Sequence, residues 1–203
     1  MVTVHKIYPV GFASNSYLLT ADGKHAVCID PAQPRVLDKA QELGLSVEFV
    51  LLTHGHFDHI GGCAALQAAG AKVGCLAEEK KLALGADNLA LEFGGEEVPP
   101  FTIDFTFSDG EELTLAGIPF KVIATPGHTA GGACYQVEDK LFTGDTLFAG
   151  DIGRTDLPTG NQSALVQSVK RLYAFNDDYT VFAGHGEDST LNEQRKHNRY
   201  VRA

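Results

Sequence analysis

Four short apolar runs in this chain each end at a Thr or Gly and lead directly to a histidine or an aspartate. Phe49-Val50-Leu51-Leu52-Thr53 precedes His54, and Val122-Ile123-Ala124-Thr125-Pro126-Gly127 precedes His128. Leu141-Phe142-Thr143-Gly144 precedes Asp145, and Val181-Phe182-Ala183-Gly184 precedes His185. Short runs of this kind read as buried strands. Strands that all finish in polar, metal-competent groups must bring those ends to one rim of a sheet, where open α/β architectures place their sites. The glycines beside the ligands allow sharp turns and close approach of neighbouring groups.

The first run opens into the densest polar cluster of the chain, His54-Gly55-His56-Phe57-Asp58-His59. Three imidazoles and a carboxylate in six residues would repel or go unsatisfied as core filling. Around one or two divalent cations they make chemical sense, since zinc and iron take these donors and an open position activates water. His128, Asp145 and His185, each ambiguous alone, join them as candidate ligands through the shared pattern. His5, His25 and His197 lie outside it and read as surface or structural residues.

The chain has 203 residues with no linker or low-complexity tract, so a single domain over 1–203 is expected. A formal net charge of -10 argues against a nucleic-acid or anionic-membrane surface. No apolar run approaches a membrane span, and Met1-Val2-Thr3-Val4-His5-Lys6 lacks signal-peptide character, so a cytoplasmic location is expected. Cys28, Cys63, Cys75 and Cys134 show no CxxC spacing and read as buried free thiols.

Patterning predicts strands over Val2–Val10, Ser16–Thr20, Ala26–Ile29, Val47–Leu52, Ala71–Leu76, Phe120–Ala124, Ala133–Val137, Leu141–Thr143 and Thr180–Ala183. Ile103–Phe107 and Glu112–Leu115 are read as strands around an Asp109-Gly110 turn. Helices are predicted from Pro34 to Leu43, over Gly62–Ala69 and Ala77–Leu84, from an Asn161 cap to Tyr173, and over Leu191–Tyr200. Gly85–Pro100 is read as an irregular loop. Hairpin strands mixed with strand–helix units predict an α/β (α+β) fold, sheet packed on sheet with helices outside.

The order His54-x-His56-x-Asp58-His59, His128, Asp145, His185 resembles the metallo-β-lactamase superfamily over nearly the whole chain. Gly144-Asp145-Thr146-Leu147-Phe148 and Gly153-Arg154-Thr155-Asp156-Leu157-Pro158 narrow the resemblance to the glyoxalase II-like hydrolases, in particular the compact bacterial hydroxyacylglutathione hydrolases without a helical C-terminal domain. The resemblance implies a four-layer αβ/βα sandwich and two divalent metals, with zinc first and iron or manganese as alternatives. One metal would take His54, His56 and His128, and the other Asp58, His59 and His185, with Asp145 bridging. It implies hydrolysis of S-D-lactoylglutathione to D-lactate and glutathione by a metal-bridging hydroxide, which Asp58 helps to orient. The expected partner is thus a small glutathione thioester. Asp145 and the absence of a secretion signal weigh against a true β-lactamase, and the length against an RNA-processing nuclease.

Arg154 is the candidate substrate contact, because its fork suits a carboxylate. The competing reading pairs it with Asp151 or Asp156 as a loop brace. Tyr17, Tyr135 and Tyr173 are better read as core. The enzyme alternative is a persulfide dioxygenase with one ferrous iron on His54, His128 and Asp145. A non-catalytic metal-binding domain is the third reading.

Overall fold

The computed structural model describes residues 1–202. One six-stranded sheet holds, in spatial order, β1 (Thr3–Ile7), β2 (Ser16–Thr20), β3 (His25–Ile29), β4 (Ser46–Leu51), β5 (Lys72–Leu76) and β6 (Phe105–Phe107). The chain then crosses to the other layer through β7 (Glu112–Leu115), β8 (Ile118–Ala124), β9 (Ala133–Val137) and β10 (Lys140–Gly144). A two-stranded hairpin, β11 (Leu147–Phe148) with β12 (Asp151–Ile152), projects beyond it. β13 (Thr180–Ala183) and β14 (Ser189–Thr190) complete a second six-stranded sheet of order β14-β13-β10-β9-β8-β7. The helices are α1 (Arg35–Glu42), α2 (Phe57–Ile60), α3 (Cys63–Ala68), α4 (Lys80–Ala83), α5 (Gln162–Tyr173) and α6 (Leu191–His197).

Period-two alternation explains the layering. Tyr17 and Leu19 of β2, with Val27 and Ile29 of β3, face the second sheet and meet Phe120, Val122, Tyr135 and Phe142. Leu18 and Cys28, one residue out of phase, face outward onto Val36 and Ala40 of α1 and Leu66 of α3. On the opposite side Ile123, Cys134, Leu141 and Val181 pack beneath Val169 and Leu172 of α5 and Leu191 of α6. Strands buried on both faces need apolar residues in both phases, which is why the sequence shows runs. Each fully buried large side chain contributes about 1.5–3 kcal/mol. The result is the expected helix–sheet–sheet–helix sandwich.

Several boundaries differ from expectation for local reasons. Pro34 sits in the cap position of α1 rather than inside its first turn. Asn161 caps α5 by accepting from the Ala164 amide at 2.9 Å, as expected. The last helix stops at His197, because Asn198 turns extended and its Oδ1 accepts from the Tyr200 and Val201 amides. β6 and β7 do not form a hairpin about Asp109-Gly110. β6 pairs parallel to β5 and β7 antiparallel to β8, so the turn carries the chain between sheets. The Gly85–Pro100 segment contains a 3-10 turn (Ala86–Asn88) and a π-helical turn (Ala90–Gly94). Among the described residues no helix is long and apolar enough to cross a membrane. Cys28, Cys63, Cys75 and Cys134 are buried and free.

Candidate metal centre

Strand direction builds the site. β3 and β4 are parallel neighbours, as are β10 and β13, and β8 is antiparallel to a strand that is itself antiparallel to β10. The C-terminal ends of β4, β8, β10 and β13 therefore meet at one rim. There they present His54, His128, Asp145 and His185, while α2 and its cap residue His56 add Asp58 and His59. All seven predicted residues come together. Three overlapping donor sets have ligand atoms within 4.8 Å of one another: His54–His56–His128, His54–His59–Asp145 and Asp58–His59–His185.

The donor atoms crowd together, and several of them have no hydrogen-bond partner in the protein. His54 Nε2, His56 Nε2, His59 Nε2 and Asp145 Oδ1 are fully buried and make no hydrogen bond. His59 Nε2 lies 3.3 Å from Asp145 Oδ1 without hydrogen-bond alignment, and His56 Nδ1 faces His128 Nε2 at 2.9 Å. Leaving buried polar atoms unmatched costs about 1–3 kcal/mol each, so a cluster of them fits a cationic partner. Imidazoles with carboxylates are the donors a divalent transition metal takes. Glycine makes room for this packing at two strand ends. A Cβ at Gly184 would collide with Asp145 Oδ1 and the His59 ring, and one at Gly144, whose φ is +47°, with the Thr53 side chain.

Two further carboxylates hold the cluster, and neither is among the sequence-predicted residues. Asp30, buried at the end of β3, accepts from the Thr53 amide at 2.7 Å and the Thr53 hydroxyl at 2.6 Å. It also accepts from His59 Nδ1 at 2.8 Å, and Thr53 Oγ1 lies 3.2 Å from His54 Nδ1. His128 Nδ1 donates to the Arg154 carbonyl at 2.7 Å. With Nδ1 engaged on each of these rings, Nε2 carries the lone pair that a metal needs. Glu79, at 1 % exposure, accepts from the Gly55 amide at 2.8 Å, the Gly131 amide at 2.8 Å and the Thr129 hydroxyl at 3.0 Å. It thereby ties the loop of His54 and His56 to the loop of His128. Asn15 does the same for His185, donating to the Ala183 and Gly186 carbonyls on either side of it. Asp30 carries a signal in the sequence, since it follows the apolar run Ala26–Ile29 as the other ligands follow theirs. Glu79 beside Glu78 carries none.

Residues 9–185 match the family model described as the metallo-β-lactamase superfamily. The chain belongs to that superfamily. A hydroxyacylglutathione hydrolase, GloC of Haemophilus influenzae, is 37% identical over 97% of both chains. The solved structure of TTHA1623 in a di-iron-bound form is 34% identical, with a TM-score of 0.86 over 98% of this chain and 100% of the other. That of the BLEG-1 B3 metallo-beta-lactamase is 30% identical, with a TM-score of 0.85 over all of both chains. Membership of the superfamily implies divalent metal binding, for which the buried His/Asp cluster is suited, and together with the hydrolase relative it supports a metal-dependent hydrolase.

Before any cation binds, the superfamily cluster is electrostatically divided. Burial, reinforced by His59, His128 and His56, pushes His54 well below the usual histidine range. Burial and then His128 lower His56 to about 4. Burial also opposes charge on His59, but Asp145, Asp58 and Asp30 outweigh it and raise that ring well above its ordinary value. Asp145 is held below the carboxylate range: burial raises it, and His59, His128 and His185 more than reverse that. Neutral imidazoles and ionised carboxylates are the ligand forms, so much of the set is poised for metal.

The cluster floors a cleft of about 670 Å³. Arg154 lines it, but its Nε and Nη2 both bind Asp156 at 2.7 Å, so its fork braces the loop. Tyr17, Tyr135 and Tyr173 are core residues whose hydroxyls donate to the Ala183, Leu52 and Gln194 carbonyls.

Proposed function

We propose that this protein hydrolyses glutathione thioesters, releasing D-lactate and glutathione from S-D-lactoylglutathione. The observation that carries the metal chemistry is the set of buried donor atoms without partners at the strand ends. The thioester preference is supported by the 37% identity to a hydroxyacylglutathione hydrolase along nearly the whole chain. His54, His56 and His128 would hold one ion and Asp58, His59 and His185 the other, with Asp145 between them. Two divalent ions, zinc first and iron or manganese as alternatives, would supply a water of lowered pKa and an electrophile for the thioester carbonyl oxygen.

The remaining chemistry belongs to the chain. Asp58, with Oδ2 3.1 Å from His185 Nε2, orients the attacking water through its carboxylate. Asp30 and the Arg154 carbonyl keep His59 and His128 in the tautomer that presents Nε2. The cysteines offer no alternative nucleophile. Burial pushes Cys75 to about 12 and Cys134 to about 11, and raises Cys28 and Cys63 well above the usual thiol range. A thiol so protonated and enclosed does not attack substrate. A single iron on His54, His128 and Asp145, as in the dioxygenase alternative, would leave the buried His59 Nε2 unmatched.

The test is elemental analysis of anaerobically purified protein, with S-lactoylglutathione hydrolysis assayed on the same sample beside a chromogenic cephalosporin. About two metals per chain with thioester turnover is expected. Roughly one iron, no hydrolysis, and oxygen uptake with glutathione persulfide would overturn the proposal in favour of the dioxygenase. Faster turnover of the cephalosporin than of the thioester would overturn it in favour of a lactamase.

A further inference from the structure

The wall of the cleft that adjoins the ligand cluster has a different chemistry. Phe12, Phe57, Leu89, Phe93, Phe148 and Leu157 line it together with His56, Asp58, His128, Asp145 and His185, and the Phe148 ring lies 6.1 Å from that of His185. Two of these rings stand in solvent, Phe12 at 84% and Phe93 at 49% exposure. Large apolar groups exposed together beside a polar centre mark a surface that gains from being covered. The lining contains one cationic side chain, Arg154, and Asp156 occupies the Nε–Nη2 edge of its fork and offsets its charge. Glutathione brings two carboxylates, for which this lining offers a single guanidinium that already faces Asp156. A lactoyl group, three carbons with a hydroxyl, fills a minor part of about 670 Å³ and makes poor use of aromatic walls.

Resting on the thioesterase reading above, we propose that this cleft selects thioesters carrying an apolar group of several carbons. That group, packed against Phe12, Phe93 and Phe148, supplies more of the substrate binding than the glutathione carboxylates do. The occupant is assigned as substrate because the apolar wall is continuous with the ligand cluster. A group lying on it holds its thioester directly over the donors. One buried methylene is worth about 0.8 kcal/mol, a factor of roughly four in affinity. In a cleft open on one side, about two- to threefold per methylene is the corresponding expectation.

The experiment uses metal-loaded protein and two substrate series. One lengthens the acyl group of S-acylglutathiones from lactoyl through butanoyl to octanoyl. The other keeps the lactoyl group and replaces glutathione by uncharged thiols of growing apolar size. A rise in kcat/KM in the first series places the apolar group on the acyl side, and a rise in the second places it on the thiol side. Either supports the proposal. Phe12→Ser and Phe93→Ser should flatten that rise while metal content stays unchanged. Binding of the unreactive thioethers S-methyl-, S-butyl- and S-octylglutathione, followed calorimetrically, gives the same ranking without turnover. Lactoylglutathione turnover with flat or falling series, and equal affinity for the three thioethers, would overturn the inference and leave the thioesterase reading intact. No hydrolysis of any thioester, with tighter binding of the longer thioethers, would overturn the thioesterase reading and leave the apolar site. If sedimentation shows a dimer that both serine variants dissociate, with selectivity unaltered, the wall is an interface between copies and the proposal fails.

Discussion

The floor and the rim of the same cleft are built in opposite ways. On the floor, His54, His56, His59 and His128 are buried, and side chains and carbonyls around them fix three of these rings from behind. On the rim, Phe12 and Phe93 stand exposed on connecting segments, and Arg154 is held by a surface ion pair. Strand ends over-determine the floor, so its chemistry tolerates little change. The rim can vary without disturbing the fold, and substrate choice therefore belongs there.

Removing a floor ligand should have the largest effect. In His54→Ala both overlapping donor sets that share this ring lose a member. Metal content and turnover should fall together, turnover on the order of a thousandfold. Normal turnover at full metal content would sink the ligand assignment and with it the contrast between floor and rim.

The residues behind the ligands come next. Asp30→Asn leaves a carbonyl oxygen for at most two of the three donors that Asp30 now receives, the Thr53 hydroxyl and His59 Nδ1 sharing one oxygen. It should weaken metal binding by about 10–100-fold, with much of the turnover restored at saturating metal. A competition titration with a chromogenic chelator measures this, and unchanged affinity would reduce Asp30 to a loop brace. In Glu79→Gln the amide NH2 must face at least one of the donors Gly55 N–H, Gly131 N–H or Thr129 O–H. A loss of about 1–3 kcal/mol in chemical denaturation is expected. Equal stability of the variant would mean that the two ligand loops do not depend on this tie.

These two carboxylates also show where the sequence stops being readable. The candidate ligands stand out because an apolar run ends and a histidine or aspartate follows. The runs themselves stand out because strands covered on both faces leave no polar phase. Asp30 obeys the same rule after Ala26–Ile29, but Pro31 follows it and a turn residue is the simpler local reading. Glu79 is one of two adjacent acids on a short helical turn, and only tertiary packing decides that Glu79 is buried while Glu78 is exposed. The transfer of the chain from β6 to β7 is equally hidden, because an Asp-Gly turn has the same local signature inside a hairpin as between sheets. Rim residues such as Phe12 and Phe93 carry no periodic mark, and their shared wall exists only in three dimensions.

Arg154→Ala probes the rim itself. With side chains 56% and 67% exposed, the Arg154–Asp156 pair is screened by solvent, and its loss should barely move stability. KM for S-lactoylglutathione should change less than about twofold, because the guanidinium is already engaged. A tenfold rise in KM with unchanged kcat would instead mean that Asp156 releases the fork to a substrate carboxylate. In that case the rim recognises charge as well as apolar surface.

The smallest effect belongs to a histidine outside the cleft, which serves as the control for those within it. His25 is exposed at the start of β3, where its Nδ1 meets Asp22 Oδ2 at 2.7 Å. The hydrogen bond and charge of Asp22 raise its pKa above the ordinary histidine value. Folding therefore favours the protonated ring. The stabilisation is fully present below the unfolded value, near 6.5, and is lost as pH rises through the folded value. The Tm difference between the parent and His25→Ala should accordingly shrink between about pH 6 and 8, and shrink further in added salt. An NMR titration that placed His25 at or below the unfolded value would reverse the sign. It would also remove the contrast between an exposed histidine tuned by one carboxylate and buried ones such as His54, pushed down by enclosure and by one another.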